Sequence, residues 1–266
     1  MLVDSHCHLD YFETDLDAIV ARGLATGVGA ILTVSTRIRN FDRIRAVAER
    51  FPFVCCSVGT HPHYAHEELD VTLGEMLELA SHPKVVAFGE AGLDYFYEKS
   101  PIPDQKQGFR LHIAAARESG LPLIIHTRDA EADTAQILEE EMAKGPFKAL
   151  LHCYTGGQAL IARALPLGLY VSFSGVLTFK KSEPLREVAA AVPLDRLLIE
   201  TDAPYLAPEP YRGKRNEPSY LRHTARVLAG VKGVSEAEIA DVTTANFFRL
   251  FDKAEGVLPR EASPAA

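Results

Sequence analysis

The chain has 266 residues, of which 47% are hydrophobic, and its net charge at pH 7 is −8. This length is close to the about 250 residues of a one-domain α/β barrel, and the composition allows one large core. The acidic balance excludes a protein that coats nucleic acid through bulk positive charge, although it allows a local basic patch.

The sequence also limits the compartment and the partners that we expect. Its N-terminus lacks a charged segment followed by an apolar one, and four cysteines are too few for a disulfide framework. No apolar run approaches the ~18 residues of a transmembrane helix. We therefore expect a cytoplasmic protein without membrane contact, and no feature indicates an obligatory protein partner.

Short apolar runs alternate along the chain with longer segments of helical periodicity. The apolar runs predict strands at residues 1–3, 29–34, 53–58, 84–88, 122–125, 148–151, 169–173 and 196–199. The periodic segments predict helices at residues 16–25, 41–51, 69–79, 105–118, 130–143, 158–165, 185–190, 219–231 and 235–250.

This alternation predicts an α/β fold of the (β/α)8 TIM-barrel type in a single domain. We assign the domain to residues 1–252 and expect the tail, residues 253–266, to be frayed. An open doubly wound sheet is the alternative fold. It would bind a ligand at one switch point, whereas a barrel collects residues from many strand ends.

His6 and His8 follow the first predicted strand, two residues apart. In extended backbone their side chains point to the same face, so both imidazoles can aim at one point while Cys7 points away. Two converging neutral imidazoles suit a divalent transition metal. A pair of structural histidines is the alternative for this short motif taken alone.

Further polar residues follow the other strands, at the end where active sites of TIM barrels form. Most of the histidines lie at these strand ends, whereas we interpret His82, His112 and His223 as structural. The polar strand-end segments are Gly59–His63, Gly89–Asp94, His126–Asp129, His152–Gly156 and Glu200–Pro204.

The number of candidate ligands favours two divalent metal ions. A mononuclear catalytic site keeps three protein ligands and an open position, and the histidines and carboxylates here exceed that set. The fourth strand ends without a lysine that could be carboxylated, so we expect Glu90 to bridge the ions. Histidines favour Zn²⁺ or Mn²⁺ and carboxylates admit Mg²⁺, so the identity of the metal stays open.

Seven segments together carry a family resemblance: Asp4–Leu9, Gly59–His63, Gly89–Tyr95, Ile125–Arg128, His152–Gly156, Glu200–Tyr205 and Tyr211–Pro218. From residue 1 to about residue 252 the chain resembles the TatD-type metal-dependent deoxyribonucleases. This resemblance implies hydrolysis of DNA phosphodiester bonds, often from the 3′ end. It also implies two divalent ions, whose ligands would be His6, His8, Glu90, His126, His152 and Asp202. His112 departs from the family pattern, in which we expect glutamine, but it leaves the site assignment intact.

The chemistry of these residues fits hydrolysis. One ion would lie on His6, His8 and Asp202, the other on His126 and His152, with Glu90 between them. We predict Asp202 and Glu90 as catalytic residues, because Asp202 is placed to accept a proton from the attacking water.

The loops beyond the strand ends suggest where a polyanion would bind. Cations follow the fifth, seventh and eighth strands, although the chain as a whole is acidic. Aromatic residues, among them Tyr95 and Phe96, could stack on unpaired bases. The substrate-binding residues that we predict are His63, Arg128, Tyr154, Tyr205, Arg212, Lys214 and Arg215.

Two other functions stay open. A small-molecule hydrolase acting on an amide, lactone or phosphoester could use the same metal site. A non-catalytic nucleic-acid-binding adaptor could keep the metal as a structural site, but such a site would have no use for a base such as Asp202. The sequence does not decide whether the substrate is DNA or RNA, or whether the protein acts as an exonuclease or an endonuclease.

Overall fold

Parallel strands form one sheet in which each strand pairs with its neighbours in the sequence, in chain order. The computed structural model describes residues 1–256. The strands are β1 (Leu2–Cys7), β2 (Val28–Thr33), β3 (Val54–Val58), β4 (Val85–Asp94), β5 (Leu123–Arg128), β6 (Ala149–Leu151), β7 (Tyr170–Phe173) and β8 (Leu197–Ile199).

The segment after β8 closes this sheet against β1. The backbone N–H of Asp202 donates to the His6 carbonyl oxygen at 2.9 Å, and that of His8 to the Ala203 carbonyl oxygen at 2.8 Å. The Asp4 carboxylate accepts from the N–H and the hydroxyl of Thr201 at 2.9 and 2.6 Å. The predicted (β/α)8 barrel is therefore confirmed.

Helices cover the outer face of the barrel, so the strands are buried on both sides, as their continuous apolar runs require. The helices are α1 (Leu16–Ala25), α2 (Phe41–Arg50), α3 (Leu73–Ala80), α4 (Ile102–Ser119), α5 (Glu131–Lys144), α6 (Gln158–Ala164), α7 (Glu183–Ala191), α8 (Leu221–Lys232) and α9 (Glu236–Leu250). Asn246 of α9 donates to the carbonyl oxygens of Leu194 and Leu197, where β8 begins. Because α9 covers this end, the site forms at the opposite one.

Strand β4 continues beyond its predicted end at residue 88 to Asp94, because Gly92 and Leu93 stay paired with His126 and Thr127 of β5. Gly92 has φ +147°, and a Cβ there would lie 2.0 Å from the His126 carbonyl oxygen, so only glycine allows this approach. The extension places Glu90 inside the strand.

Two other boundaries differ from the prediction. Helix α3 begins at Leu73, four residues later than predicted, because Thr72 and Glu75 form a capping box. Residues 253–256 of the predicted tail belong to a 3-10 helix, Asp252–Gly256, whose Ala254 is buried. The rest of that tail lies outside the described residues. No helix within residues 1–256 is long and apolar enough to cross a membrane.

Candidate metal centre

The six predicted metal ligands meet at the carboxyl ends of the strands. His6 lies in β1 and His8 directly after it, β4 and β5 supply one ligand each, and the segments after β6 and β8 supply the others. Five of them line a cavity of about 650 Å³, while His6 lies beneath it, fully buried. The five are His8, Glu90, His126, His152 and Asp202.

The first group of ligand atoms surrounds one point between β1 and the segment after β8. The Nε2 atoms of His6 and His8 are 3.4 Å apart. Asp202 Oδ1 lies 3.7 and 3.5 Å from these two nitrogens. Two ligands that each lie about 2.1 Å from a tetrahedral zinc are about 3.4 Å apart, so this spacing suits one cation.

The second group lies between β5 and the end of β6. His126 Nδ1 and His152 Nε2 are 3.3 Å apart, and Glu90 Oε2 lies 3.7 and 2.7 Å from them. The same carboxylate faces the first group, because Glu90 Oε1 is 3.6 Å from His8 Nε2. Glu90 thus stands between the two groups, as a bridging ligand would.

The outer hydrogen bonds of three histidines leave their inward nitrogens free to bind a metal. In each ring the outward nitrogen faces a carbonyl or carboxylate oxygen and therefore carries the proton. These contacts are His8 Nδ1 to Val34 O at 3.1 Å, His152 Nδ1 to Glu200 Oε1 at 3.3 Å and His126 Nε2 to Asp94 Oδ2 at 3.2 Å. The residues present therefore fit divalent cations, and Asp94 and Glu200 orient the rings.

His61 also reaches this cluster, although sequence reasoning gave it no role. Its Nε2 lies 3.9 Å from Glu90 Oε1, and potential ligand atoms of His61, Glu90 and His126 lie within 4.8 Å of one another. However, His61 Nδ1 accepts the backbone N–H of His63 at 3.0 Å, so in the neutral ring Nε2 carries the proton. In this tautomer His61 offers the cluster an N–H donor and no lone pair.

The electrostatics of the cluster suit an exchange of protons for metal. Burial alone would raise the pKa of Glu90, but His61 and His152 outweigh it and hold the pKa well below its ordinary value. Burial lowers the pKa of His152, but Glu90 and Glu200 raise it well above its ordinary value. These shifts favour a carboxylate beside a protonated imidazole, and a divalent cation would displace that proton.

Only some of the residues predicted to bind substrate line the cavity. His63, Arg128 and Tyr205 line the cavity, and His63 Nε2 lies 2.8 Å from Asp94 Oδ2. Tyr154 is only 1% exposed and its hydroxyl donates to the Gly157 carbonyl oxygen, so stacking on a base would require the ring to be uncovered. The exposed aromatic ring beside the cavity that sequence reasoning missed is Tyr97.

The three cations of the loop after β8 differ in whether they form an ion pair. Arg212 lies over the ring of Phe179, a residue of the cavity wall, at 4.3 Å from the centroid. Lys214 is exposed and lies near the ring of Tyr211. Arg215 instead pairs with Asp15 at 3.2 Å, and its guanidinium is therefore already neutralised by the protein.

The cations that form no ion pair or hydrogen bond follow the carboxyl ends of the strands, and two of them, Lys99 and Arg128, line the cavity. Most lysines and arginines within residues 1–256 form an ion pair or a hydrogen bond. The ones that form neither are Lys99, Arg128, Lys180, Lys181, Arg212, Lys214 and Arg222. All of these except Arg222, which lies on α8, are at or beyond the carboxyl ends of β4, β5, β7 and β8.

Comparisons with known proteins identify the family of this chain. A family model described as TatD related DNase matches residues 3–252. YcfH, an uncharacterized metal-dependent hydrolase of Escherichia coli K12, is 44% identical over 255 residues, which cover 94% of this chain and 95% of that protein. A protein of Escherichia fergusonii named 3′-5′ ssDNA/RNA exonuclease TatD is 35% identical over 245 residues, which cover 90% of this chain and 94% of that protein. The crystal structure of YJJV, a TatD homolog from Escherichia coli K12, matches with a TM-score of 0.88 at 29% identity, covering 94% of this chain and 98% of that one.

Proposed function

We propose that this chain, which belongs to the family of TatD-related DNases and is a metal-dependent hydrolase, cleaves phosphodiester bonds of single-stranded DNA from the 3′ end. The observation that carries this proposal is the set of cations without an ion pair or hydrogen bond at or beyond the carboxyl ends of the strands, two of which, Lys99 and Arg128, line the cavity that holds the candidate metal ligands. A polyanion that reaches the cavity would meet these cations first.

The proposed ligand assignment follows the two groups of atoms. His6, His8 and Asp202 would hold one ion, and His126 and His152 the other. Glu90 would bridge them, since Oε1 and Oε2 lie 3.6 and 2.7 Å from nitrogens of opposite groups. The set contains both imidazole and carboxylate donors, which admits Zn²⁺, Mn²⁺ or Mg²⁺.

When bound, two divalent ions supply Lewis-acid polarisation of the phosphoryl group and lower the pKa of a bound water. The chain supplies the base. The Asp202 side chain is 14% exposed, whereas that of Glu90 is 3% exposed, so Asp202 is the carboxylate that water in the cavity reaches more readily. Asp202 would accept the proton of the attacking water, and Arg128 would bind a phosphate of the strand.

A small-molecule hydrolase is the second candidate, because a cavity of about 650 Å³ falls within the range of sites for small ligands. The unpartnered cations favour the nuclease, since a small neutral ester or lactone would leave most of them without a role. A cytoplasmic location stays a prediction, with which four free cysteines agree.

The test is incubation of metal-reconstituted protein with single-stranded DNA labelled at the 5′ end or at the 3′ end. We expect DNA labelled at the 5′ end to give a ladder of progressively shorter labelled products. DNA labelled at the 3′ end should release its label at once as mononucleotide. Internal fragments at early times would indicate an endonuclease, and intact DNA beside a hydrolysed small ester would support the second candidate. Glu90→Gln, assayed for bound metal in parallel, serves as the inactive control.

A further inference from the structure

The exposed aromatic side chains within residues 1–256 all lie beside the catalytic cavity. The exposed large hydrophobic residues there are Met1, Leu24, Leu69, Phe96, Tyr97 and Tyr205. Single exposed aliphatic residues need no explanation. The three aromatic ones, however, are 55%, 52% and 52% exposed and follow the carboxyl ends of β4 and β8. Their restriction to one rim indicates a surface shaped for a ligand.

Phe96, Tyr97 and Arg128 form a compact group, which we call the aromatic shelf. The rings of Phe96 and Tyr97 meet edge to face, with centroids 4.8 Å apart. The Arg128 guanidinium lies 4.0 Å from the first centroid and 4.8 Å from the second. No described carboxylate pairs with this guanidinium, so its charge is available to a phosphate.

The shelf is fixed to the metal ligands through one carboxylate. Asp94 Oδ1 accepts the backbone N–H groups of Phe96 and Tyr97 at 3.1 and 2.9 Å. Its Oδ2 lies 2.8 Å from His63 Nε2 and 3.2 Å from His126 Nε2. Because Asp94 is 1% exposed, the rings and the candidate ligand His126 share a rigid support.

We propose that the aromatic shelf is a base-binding subsite, on which an unpaired base beside the scissile phosphate stacks while Arg128 holds a neighbouring phosphate. This proposal rests on the nuclease function proposed above. Stacking on a ring accepts every base, since each base has a π-face, and it requires that the base has left the duplex stack. The subsite therefore accounts for a preference for single strands without a preference for sequence.

The topology gives the subsite a place along the strand. In a barrel with eight strands in chain order, β4 and β8 lie on opposite sides of the mouth. The two rings of the shelf follow β4 and Arg128 ends the neighbouring β5, whereas Arg212 and Lys214 follow β8. A DNA strand bound at both places would cross the mouth of the barrel over the proposed metal centre, with an unpaired base on the β4 side and phosphates on the β8 side.

The test compares two single strands of equal length, one with ordinary nucleotides and one whose 3′-terminal nucleotides are replaced by base-less tetrahydrofuran spacers. Tyr97→Ala should lower kcat/KM on the ordinary strand by about 5- to 160-fold, the range that corresponds to base–aromatic stacking, and change the base-less strand less than about twofold. Tyr97→Phe keeps the ring and should retain the wild-type preference. Leu24→Ala, which removes an exposed apolar side chain from α1, should leave both substrates unchanged. Bound metal and thermal unfolding, measured for each variant, establish that the site and the fold are intact.

Each other outcome identifies what fails. Equal losses on the two strands, or no loss on either, would overturn the subsite while leaving the nuclease in place. The same would follow if wild-type protein cleaved both strands equally well. If wild-type protein cleaved neither strand with any divalent metal, the proposed function would fail, and the subsite with it.

Discussion

Removal of the two unpartnered cations after β8 should make the binding of single-stranded DNA less dependent on salt. Arg212 and Lys214 are exposed and form no ion pair with a described residue. Each phosphate contact on a single strand contributes about −0.7 to the slope of log affinity against log salt. The double variant Arg212→Ala, Lys214→Ala should therefore flatten that slope by about 1.4. Between about 50 and about 200 mM salt, this change amounts to about sevenfold in affinity.

Arg215 provides the matched control. It pairs with Asp15, donates to the Tyr11 carbonyl oxygen at 3.0 Å and lies over the Phe12 ring at 4.1 Å from the centroid. Because the protein already uses this guanidinium, Arg215→Ala should leave the salt slope unchanged.

The assay is fluorescence anisotropy of a labelled oligonucleotide at several salt concentrations, with Asp202→Asn present in every protein so that the DNA stays intact. An unchanged slope in the double variant would refute phosphate binding by this loop. Equal flattening by Arg215→Ala would refute the distinction between free and paired cations. Only the first result would move the path of the DNA strand away from the loop after β8.

Three further predictions concern the metal centre and the fold. Asp202→Asn should lower turnover by at least ~10²-fold with unchanged bound metal, and an active variant measured in the DNA assay would exclude Asp202 as the base. Asp94→Asn should weaken metal binding by about 10- to 100-fold, because the acceptor of the His126 N–H loses its charge; metal titration with a competing chelator checks this. Burial raises the pKa of Glu141, but hydrogen bonds from three cationic side chains bring it down to about 2. Glu141→Gln should therefore lower the free energy of unfolding at pH 7 by about 1–2 kcal/mol. Since a lowered pKa stabilises the fold above the unfolded value of 4.5, this difference should shrink as pH falls from there towards 2, and denaturant unfolding across pH would reveal it.

The sequence predicts the barrel well because each element carries its own local signal. Helix α1 has the bounds that its periodicity predicts, residues 16–25. The prediction ended β4 too early, because the second half of the strand contains the polar Glu90 and Gly92, which has no side chain. That half is held by pairing with β5, and such pairing between distant segments leaves no trace in local hydrophobicity.

The convergence of the candidate ligands was equally predictable, because the carboxyl ends of the strands of a barrel lie in one place. The roles of individual residues depend on contacts that a linear pattern omits. His61 resembles another ligand in the sequence, but its Nδ1 accepts the His63 N–H, so its Nε2 carries the proton in the neutral ring. Arg215 resembles Arg212 in sequence, but only Arg215 reaches Asp15, about 200 residues away along the chain.

The proposed metal centre would also change the charge that a phosphate meets in the cavity. The carboxylates of Glu90 and Asp202 repel a phosphodiester across a buried region where screening by salt is weak. Two divalent ions would contribute four positive charges and displace the proton of His152, so metal loading would make the local potential more positive. The cations on the rim remain the same in both states, and they attract the strand whether or not metal is bound. Binding at the rim and binding in the cavity are therefore separable, and only the second is coupled to the metal. By thermodynamic reciprocity, DNA seated in the cavity would strengthen metal binding by the same factor by which metal would strengthen the binding of DNA.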